Sequence, residues 1–97
     1  MKKHFVFYLI PPRPSFAQDM TPEERAIMQQ HLVYWTDLMN KGFVLAFGPV
    51  LDPTGVYGLG LVVADDAEQA NELVKNDPAT AINKYELYPM RAVTPAK

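Results

Sequence analysis

TPEERAIMQQHLVYWTDLMNKG, residues 21–42, reads as one helix with both of its ends written into the sequence. Thr21 can cap the free N–H groups, Pro22 suits the first turn, and Glu24 can close a capping box. Glu23 and Glu24 also sit where the helix dipole favours negative charge. At the far end Lys41 occupies the last turn, and Gly42 is free to take the left-handed conformation. Between these signals Ile27, Met28, Trp35, Leu38 and Met39 recur at helical spacing and predict one buried face. His31 stands on the same stripe, one turn after Ile27 and one turn before Trp35.

The segments on either side of this helix read as strands. Residues 5–10, FVFYLI, are apolar on both alternating sets, which predicts a first strand. The run PPRPSF at 11–16 predicts a stiff connector, because proline fixes its own φ and restricts the residue before it. Residues 43–50 predict a second strand ending in Gly48-Pro49, and Asp52-Pro53-Thr54-Gly55 supplies turn chemistry. A third strand is expected over 56–64. Tyr57, Leu59, Leu61 and Val63 share one of its faces. Val56, Gly58, Gly60, Val62 and Ala64 share the other, small enough for a backbone or a ligand to approach closely. Asp65-Asp66 then caps a shorter helix with Glu68 or Gln69 as partner. Ala67, Ala70, Leu73 and Val74 form its apolar stripe, and it ends near Asn76-Asp77-Pro78. A helical turn over 79–83 and a last strand over 85–93, interrupted by Pro89, complete the chain.

The order β-α-β-β-α-β predicts an α+β, ferredoxin-like fold. Its four-stranded antiparallel sheet has order 4-1-3-2, with both helices on one face. In that order the edge strands are the second and the fourth. Those are the strands that carry Pro49 and Pro89, and an edge tolerates proline because no ladder N–H is needed there. Two helices cover only one face of such a sheet, whereas the first three strands are apolar on both. A lone subunit would expose a large apolar surface, so a two-fold homodimer packed through the sheet faces is expected, with an apolar pocket for a small molecule.

Composition narrows the function classes. Ninety-seven residues, 48% of them apolar, make one globular domain spanning 1–97. A net charge of −2, with no basic run, argues against nucleic acid. The absence of cysteine removes disulfides, thiolate chemistry and cysteine-ligated zinc. His4 and His31 alone do not make a histidine-rich metal site, so no metal is expected. Met1-Lys2-Lys3 before an apolar run loosely imitates a signal peptide, but six residues that stop at Pro11-Pro12 read better as a buried strand. Nothing approaches the length of a membrane span, and a cytoplasmic location is expected.

His31 has two readings, a partly buried helix residue bonded to a carbonyl or water, or a general acid or base. Asp77-Pro78 either stops a helix and caps the next turn, or supplies the carboxylate that orients His31. Gly48-Pro49 either ends an edge strand or lets a ligand approach the backbone at the sheet rim. Arg13 is either solvated or held by its prolines over an anionic group. Trp35, Tyr34 and the methionines read as core, and no phosphate loop, nucleophile elbow or metal motif occurs.

Arg13-Pro14-x-Phe16, Met20-Thr21-x-x-Glu24, His31 and Gly48-Pro49-Val50 are followed in order by Gly55-x-x-Gly58, Asp77-Pro78-Ala79, Tyr85-Glu86 and Pro89-Met90-Arg91. In these features the chain resembles the YCII-related (YciI-like) family of small dimeric α+β proteins. The resemblance covers nearly the whole chain. It implies a ferredoxin-like subunit, a dimeric α/β barrel, and a His–Asp active site that maps onto His31 and Asp77. Related domains include a dehalogenating enzyme, and the wider fold includes muconolactone isomerase. The expectation is therefore a small enzyme without a cofactor, in which His31 moves a proton and Asp77 orients it. Its chemistry would be hydrolase- or dehalogenase-, isomerase- or lyase-like, and Arg13, Phe47, Gly48 and Pro49 would bind substrate. Asparagine at His31 or Asp77 is expected to leave the fold largely intact. The rival expectation is a dimeric module that binds a small molecule or a protein without turnover.

Overall fold

The computed structural model describes residues 2–95. The elements are β1 (Lys3–Ile10), α1 (Phe16–Asp19), α2 (Pro22–Asn40), β2 (Val44–Val50), β3 (Tyr57–Ala64), α3 (Ala67–Lys75), a short 3-10 turn (Pro78–Ala81) and β4 (Lys84–Met90). The four strands form one antiparallel sheet of order β2-β3-β1-β4, the same order as 4-1-3-2 read from the other edge. Pro49 and Pro89 lie on the edge strands, where each missing N–H is harmless.

The long helix α2 begins and ends for local reasons. Thr21 accepts from the Glu24 N–H at 3.1 Å while the Glu24 carboxylate accepts from the Thr21 N–H at 2.9 Å, a closed capping box. At the other end Gly42 has φ +90°. The Phe43 N–H reaches the Leu38 carbonyl at 2.9 Å and the Gly42 N–H reaches Met39 at 3.1 Å. This pair of bonds is the Schellman arrangement that satisfies the last carbonyls of a helix. Trp35 and Leu38 are buried on the helix face toward the sheet, and Met28 and Tyr34 pack partly against the same core. Met39, expected on that face, is 38% exposed.

Phe5, Phe7 and Leu9 of β1 fill the space between sheet and helices, with Val44, Val62, Ala64, Ala70 and Val74 around them. The small residues of β3 have a definite use. A Cβ built on Gly60 would lie 2.1 Å from the Phe7 ring, and one on Gly58 would lie 2.9 Å from the Leu9 Cβ. It is the neighbouring side chains of β1 that approach the backbone there. Trp35 stacks at a tilt on Phe7, with centroids 4.8 Å apart, and Tyr85 meets Phe7 edge-on at 5.2 Å.

Two expectations are corrected. The connector after β1 contains a helical turn, α1, because Ser15 Oγ donates to Asp19 Oδ2 at 2.6 Å and Phe16 is drawn into the core. The last strand stops at Met90 rather than residue 93. In the second crossover Gln69, one of the two expected partners of the cap, is the one used: its Oε1 accepts from the Asp65 N–H while Asp66 accepts from the Gln69 N–H. Among the described residues no helix is long and apolar enough to cross a membrane. Among the described residues no helix lies over the sheet face carrying Val6, Tyr8, Leu61 and Val63, and these residues are only half-buried.

Candidate functional site

The second crossover brings Asp77 against α2. Helix α3 ends at Lys75, and the next turn starts at Pro78 with Asp77 as its cap, its Oδ1 accepting from the Ala79 N–H at 2.8 Å. The other oxygen is shared by three donors. His31 Nδ1 lies 2.7 Å from Asp77 Oδ2, Trp35 Nε1 donates at 2.6 Å, and the Tyr85 hydroxyl also donates to it. The two readings of Asp77, cap and histidine partner, are thus held by one carboxylate through its two oxygens. His31 and Trp35 are four residues apart on one helix face, which is why both reach the same atom.

Asp77 is 1% exposed, so its charge state is set by these bonds. Burial pushes the carboxyl up. The hydrogen bonds from His31, Tyr85, the Ala79 amide and Trp35 outweigh that effect and hold it below the usual carboxylate range. The Tyr85 hydroxyl is pushed far up, first by burial and then by its bond to the Asp77 carboxylate, and so remains a donor. With Asp77 ionised and accepting, the neutral imidazole carries its proton on Nδ1. Nε2 then bears the lone pair and has no protein partner among the described residues.

That nitrogen belongs to a residue lining a cavity of about 570 Å³ between α1, α2, β2 and the start of β3. Phe47, Gly48 and Pro49 line it together with His31, and the Phe47 ring meets the imidazole in a T-shape at 6.4 Å. A Cβ on Gly48 would meet nothing within 4 Å, so the space beside that backbone is open. None of the lining residues is Lys, Arg, Asp or Glu; Gln18, His31, Asn83 and Tyr57 carry the polar side-chain atoms. A wall of this kind suits an uncharged, mainly apolar molecule, since an unpaired charge would be costly to bring in. Among the described residues no group of three or more His, Asp or Glu side chains could hold a metal ion.

Arg13, expected at the substrate, is placed elsewhere. Its Nε donates to Asp19 Oδ1 at 2.8 Å and its two terminal nitrogens donate to Glu24 at 2.8 and 2.9 Å. It is not among the cavity-lining residues. The guanidinium joins the connector and α1 to the start of α2. Its nearby carboxylates satisfy it, as a bidentate pair would. Trp35 and Tyr85 are the site residues missed by the sequence reading. The spacing of four from His31 could have pointed to Trp35; nothing local to Tyr85 announces its bond to Asp77.

These carboxylates give an acid limit to stability. The Glu24 carboxyl is held down to about 2, chiefly by Arg13 and then by the Thr21 amide, and Asp77 is also held low. A group whose folded pKa is depressed stabilises fully above its unfolded pKa and loses that contribution as pH falls through the folded one. Urea-unfolding free energy should therefore be flat above about pH 5 and fall steadily from roughly pH 4.5 toward pH 2. A curve that stays flat to pH 2 would contradict the charged Asp77.

Comparison with known proteins gives a family and a fold. The sequence pattern of the YCII-related domain matches residues 5–94. A solved structure of a protein of unknown function from Nitrosomonas europaea is similar with a TM-score of 0.53 at 15% identity, covering 100% of this chain and 98% of its own. A second is the structure of SnoaB, a cofactor-independent oxygenase from Streptomyces nogalater. It has a TM-score of 0.47 at 10% identity, covering 97% of this chain and 95% of its own. No curated protein matches the sequence.

Proposed function

The chain belongs to the YCII-related domain family, and on that basis we propose that it is a small cofactor-independent enzyme doing acid–base chemistry on an uncharged organic molecule. The observation that carries this reading is the imidazole itself. His31 is tied through Nδ1 to a buried carboxylate and lies on the wall of an apolar cavity. Nε2 would accept a proton from an O–H or an acidified C–H of the substrate. Asp77 would stabilise the resulting imidazolium, and the same nitrogen would return the proton to a second position or to a leaving group. Phe47, Gly48 and Pro49 would shape the substrate's seat. The test is a screen of small neutral metabolites for conversion, with product detected by mass spectrometry. Conversion by the wild type that His31→Asn abolishes supports the proposal. Equal conversion by both proteins overturns it.

A module that binds without turnover is the second reading. One observation favours it: among the described residues no carboxylate or lysine joins the imidazole on the cavity wall.

We also propose that two copies pack through the sheet face bearing Val6, Tyr8, Leu61 and Val63, which no helix covers among the described residues. A stable dimer of this kind would bury more than about 1,000 Å² in total. Sedimentation at micromolar concentration should show a dimer, and Leu61→Glu, which places a charge in the middle of that face, should give a folded monomer. A wild-type monomer at high concentration would remove the barrel arrangement.

A further inference from the structure

One wall of the cavity is a helix too short to hold itself. Helix α1 has four residues, fewer than a helix needs to be stable alone, and Ala17, Gln18 and Asp19 are exposed. Yet Phe16, Ala17, Gln18 and the adjoining Met20 line the cavity that His31 also lines. The burial of Phe16 anchors the start of this wall. A single guanidinium holds the rest.

Arg13 precedes α1 in the chain, and its side chain reaches both ends of that helix. Its Cζ lies 5.4 Å from the centroid of the Phe16 ring, at the first residue of α1. Nε donates to Asp19 Oδ1 at 2.8 Å and Nη2 to the Asp19 carbonyl at 2.9 Å, at the last residue. Nη1 and Nη2 also donate to Glu24 Oε2 and Oε1, at 2.9 and 2.8 Å. The planar fork thus ties α1 to the first turn of α2, the helix that carries His31. Helix α2 does not need this tie in order to begin, because Thr21 and Glu24 cap it reciprocally. What the tie fixes is the place of the α1 wall relative to α2.

We propose that Arg13 is a positioning residue for the ligand: it holds α1 in place as a cavity wall and so slows the escape of a bound molecule, without touching that molecule itself. This rests on the cavity being the ligand site, and it adds a residue outside the cavity that sets how firmly the site holds. The role requires the fork and not the charge alone. One ammonium cannot bridge a carboxylate and a carbonyl on α1 while binding both oxygens of Glu24.

The probe is 2-naphthol, uncharged and mainly apolar at neutral pH, whose dissociation rate is read by stopped-flow fluorescence. Wild type is compared with Arg13→Gln, Arg13→Lys, Glu24→Gln and the double variant Arg13→Gln with Glu24→Gln. Glutamine in place of Glu24 can still accept from the Thr21 N–H, as capping boxes allow, but its amide nitrogen meets the guanidinium donor to donor. The expected result is dissociation about fivefold faster in Arg13→Gln, the upper scale of a partly exposed ion bridge. Arg13→Lys should not restore the wild-type rate, and Glu24→Gln should change it in the same direction. The double variant should be no worse than Arg13→Gln, since both substitutions remove one interaction. In the ligand-free protein the Gln18 and Asp19 amides, bonded to the Ser15 carbonyl, should exchange with solvent faster in Arg13→Gln, while the Arg25 amide of α2 should not. A wild-type rate in Arg13→Gln, full rescue by lysine, or additive effects in the double variant would overturn the proposal. Faster exchange in α1 with unchanged dissociation would make Arg13 structural only, leaving the cavity reading intact. A wild type that does not bind 2-naphthol removes the cavity reading, and the proposal with it. If Arg13→Gln does not fold, Glu24→Gln, with its cap kept, decides alone.

Discussion

His31→Asn is expected to lower turnover roughly a hundredfold or more while leaving the fold in place, the usual scale for removing a general acid or base. The effect on the fold should be small for a geometric reason. The side chain of His31 keeps 12% of its surface exposed, and it supplies only one of the four hydrogen bonds to the Asp77 carboxylate. The carboxylate retains Trp35, Tyr85 and the Ala79 amide when the imidazole is gone. Activity and thermal melting measured on the same preparations should therefore separate. Turnover should collapse, and the melting temperature should move by only a few degrees, as expected for about 1 kcal/mol in a domain of this size. A variant that melts far below the wild type would make His31 a structural residue. A variant with full turnover would remove it from the chemistry.

Asp77→Ala should behave in the opposite way and destabilise by about 3–5 kcal/mol, because it strands several buried donors at once. Trp35 Nε1, the Tyr85 hydroxyl, the His31 Nδ1–H and the Ala79 N–H all point at this side chain. With domain stability generally about 5–15 kcal/mol, such a loss removes a large share of it, and chemical denaturation should show the midpoint falling accordingly. Asn at this position is milder but not neutral. One end of an amide is itself a donor, and it would face either the Ala79 N–H or the three donors on the other oxygen. The sequence reading expects both dyad residues to tolerate asparagine, and the contacts restrict that tolerance to His31. Loss below about 1 kcal/mol in Asp77→Ala would contradict a hub role for the carboxylate.

Much of this architecture is legible because its signals are local. Thr21 and Glu24 mark where α2 starts, Gly42 marks where it stops, and two prolines identify the edge strands before any pairing is known. His31 stands out as the one polar residue of an apolar stripe. What could not be read depends on contacts made across the fold. Tyr85 reaches Asp77 only because the 3-10 turn folds β4 back toward α2, and no spacing within its own strand records that. Arg13 carries a charge suited to a ligand, yet Asp19 and Glu24 lie close enough in space to take all of it. The burial of Phe16 converts a proline-rich connector into a helical turn, a tertiary effect that local propensity does not contain.

The central claim is that the imidazole offers an unprotonated Nε2 to the cavity because Asp77 holds the proton on Nδ1. The most direct measurement is a long-range nitrogen–proton correlation spectrum of the labelled protein, with the His31 ring kept neutral by alkaline buffer. The account predicts a protonated Nδ1 and an Nε2 resonance typical of a bare ring nitrogen, with the pattern changed in Asp77→Asn. A His31 protonated on Nε2 and bare on Nδ1 would contradict it, for Asp77 would then face a lone pair and the cavity would face a donor.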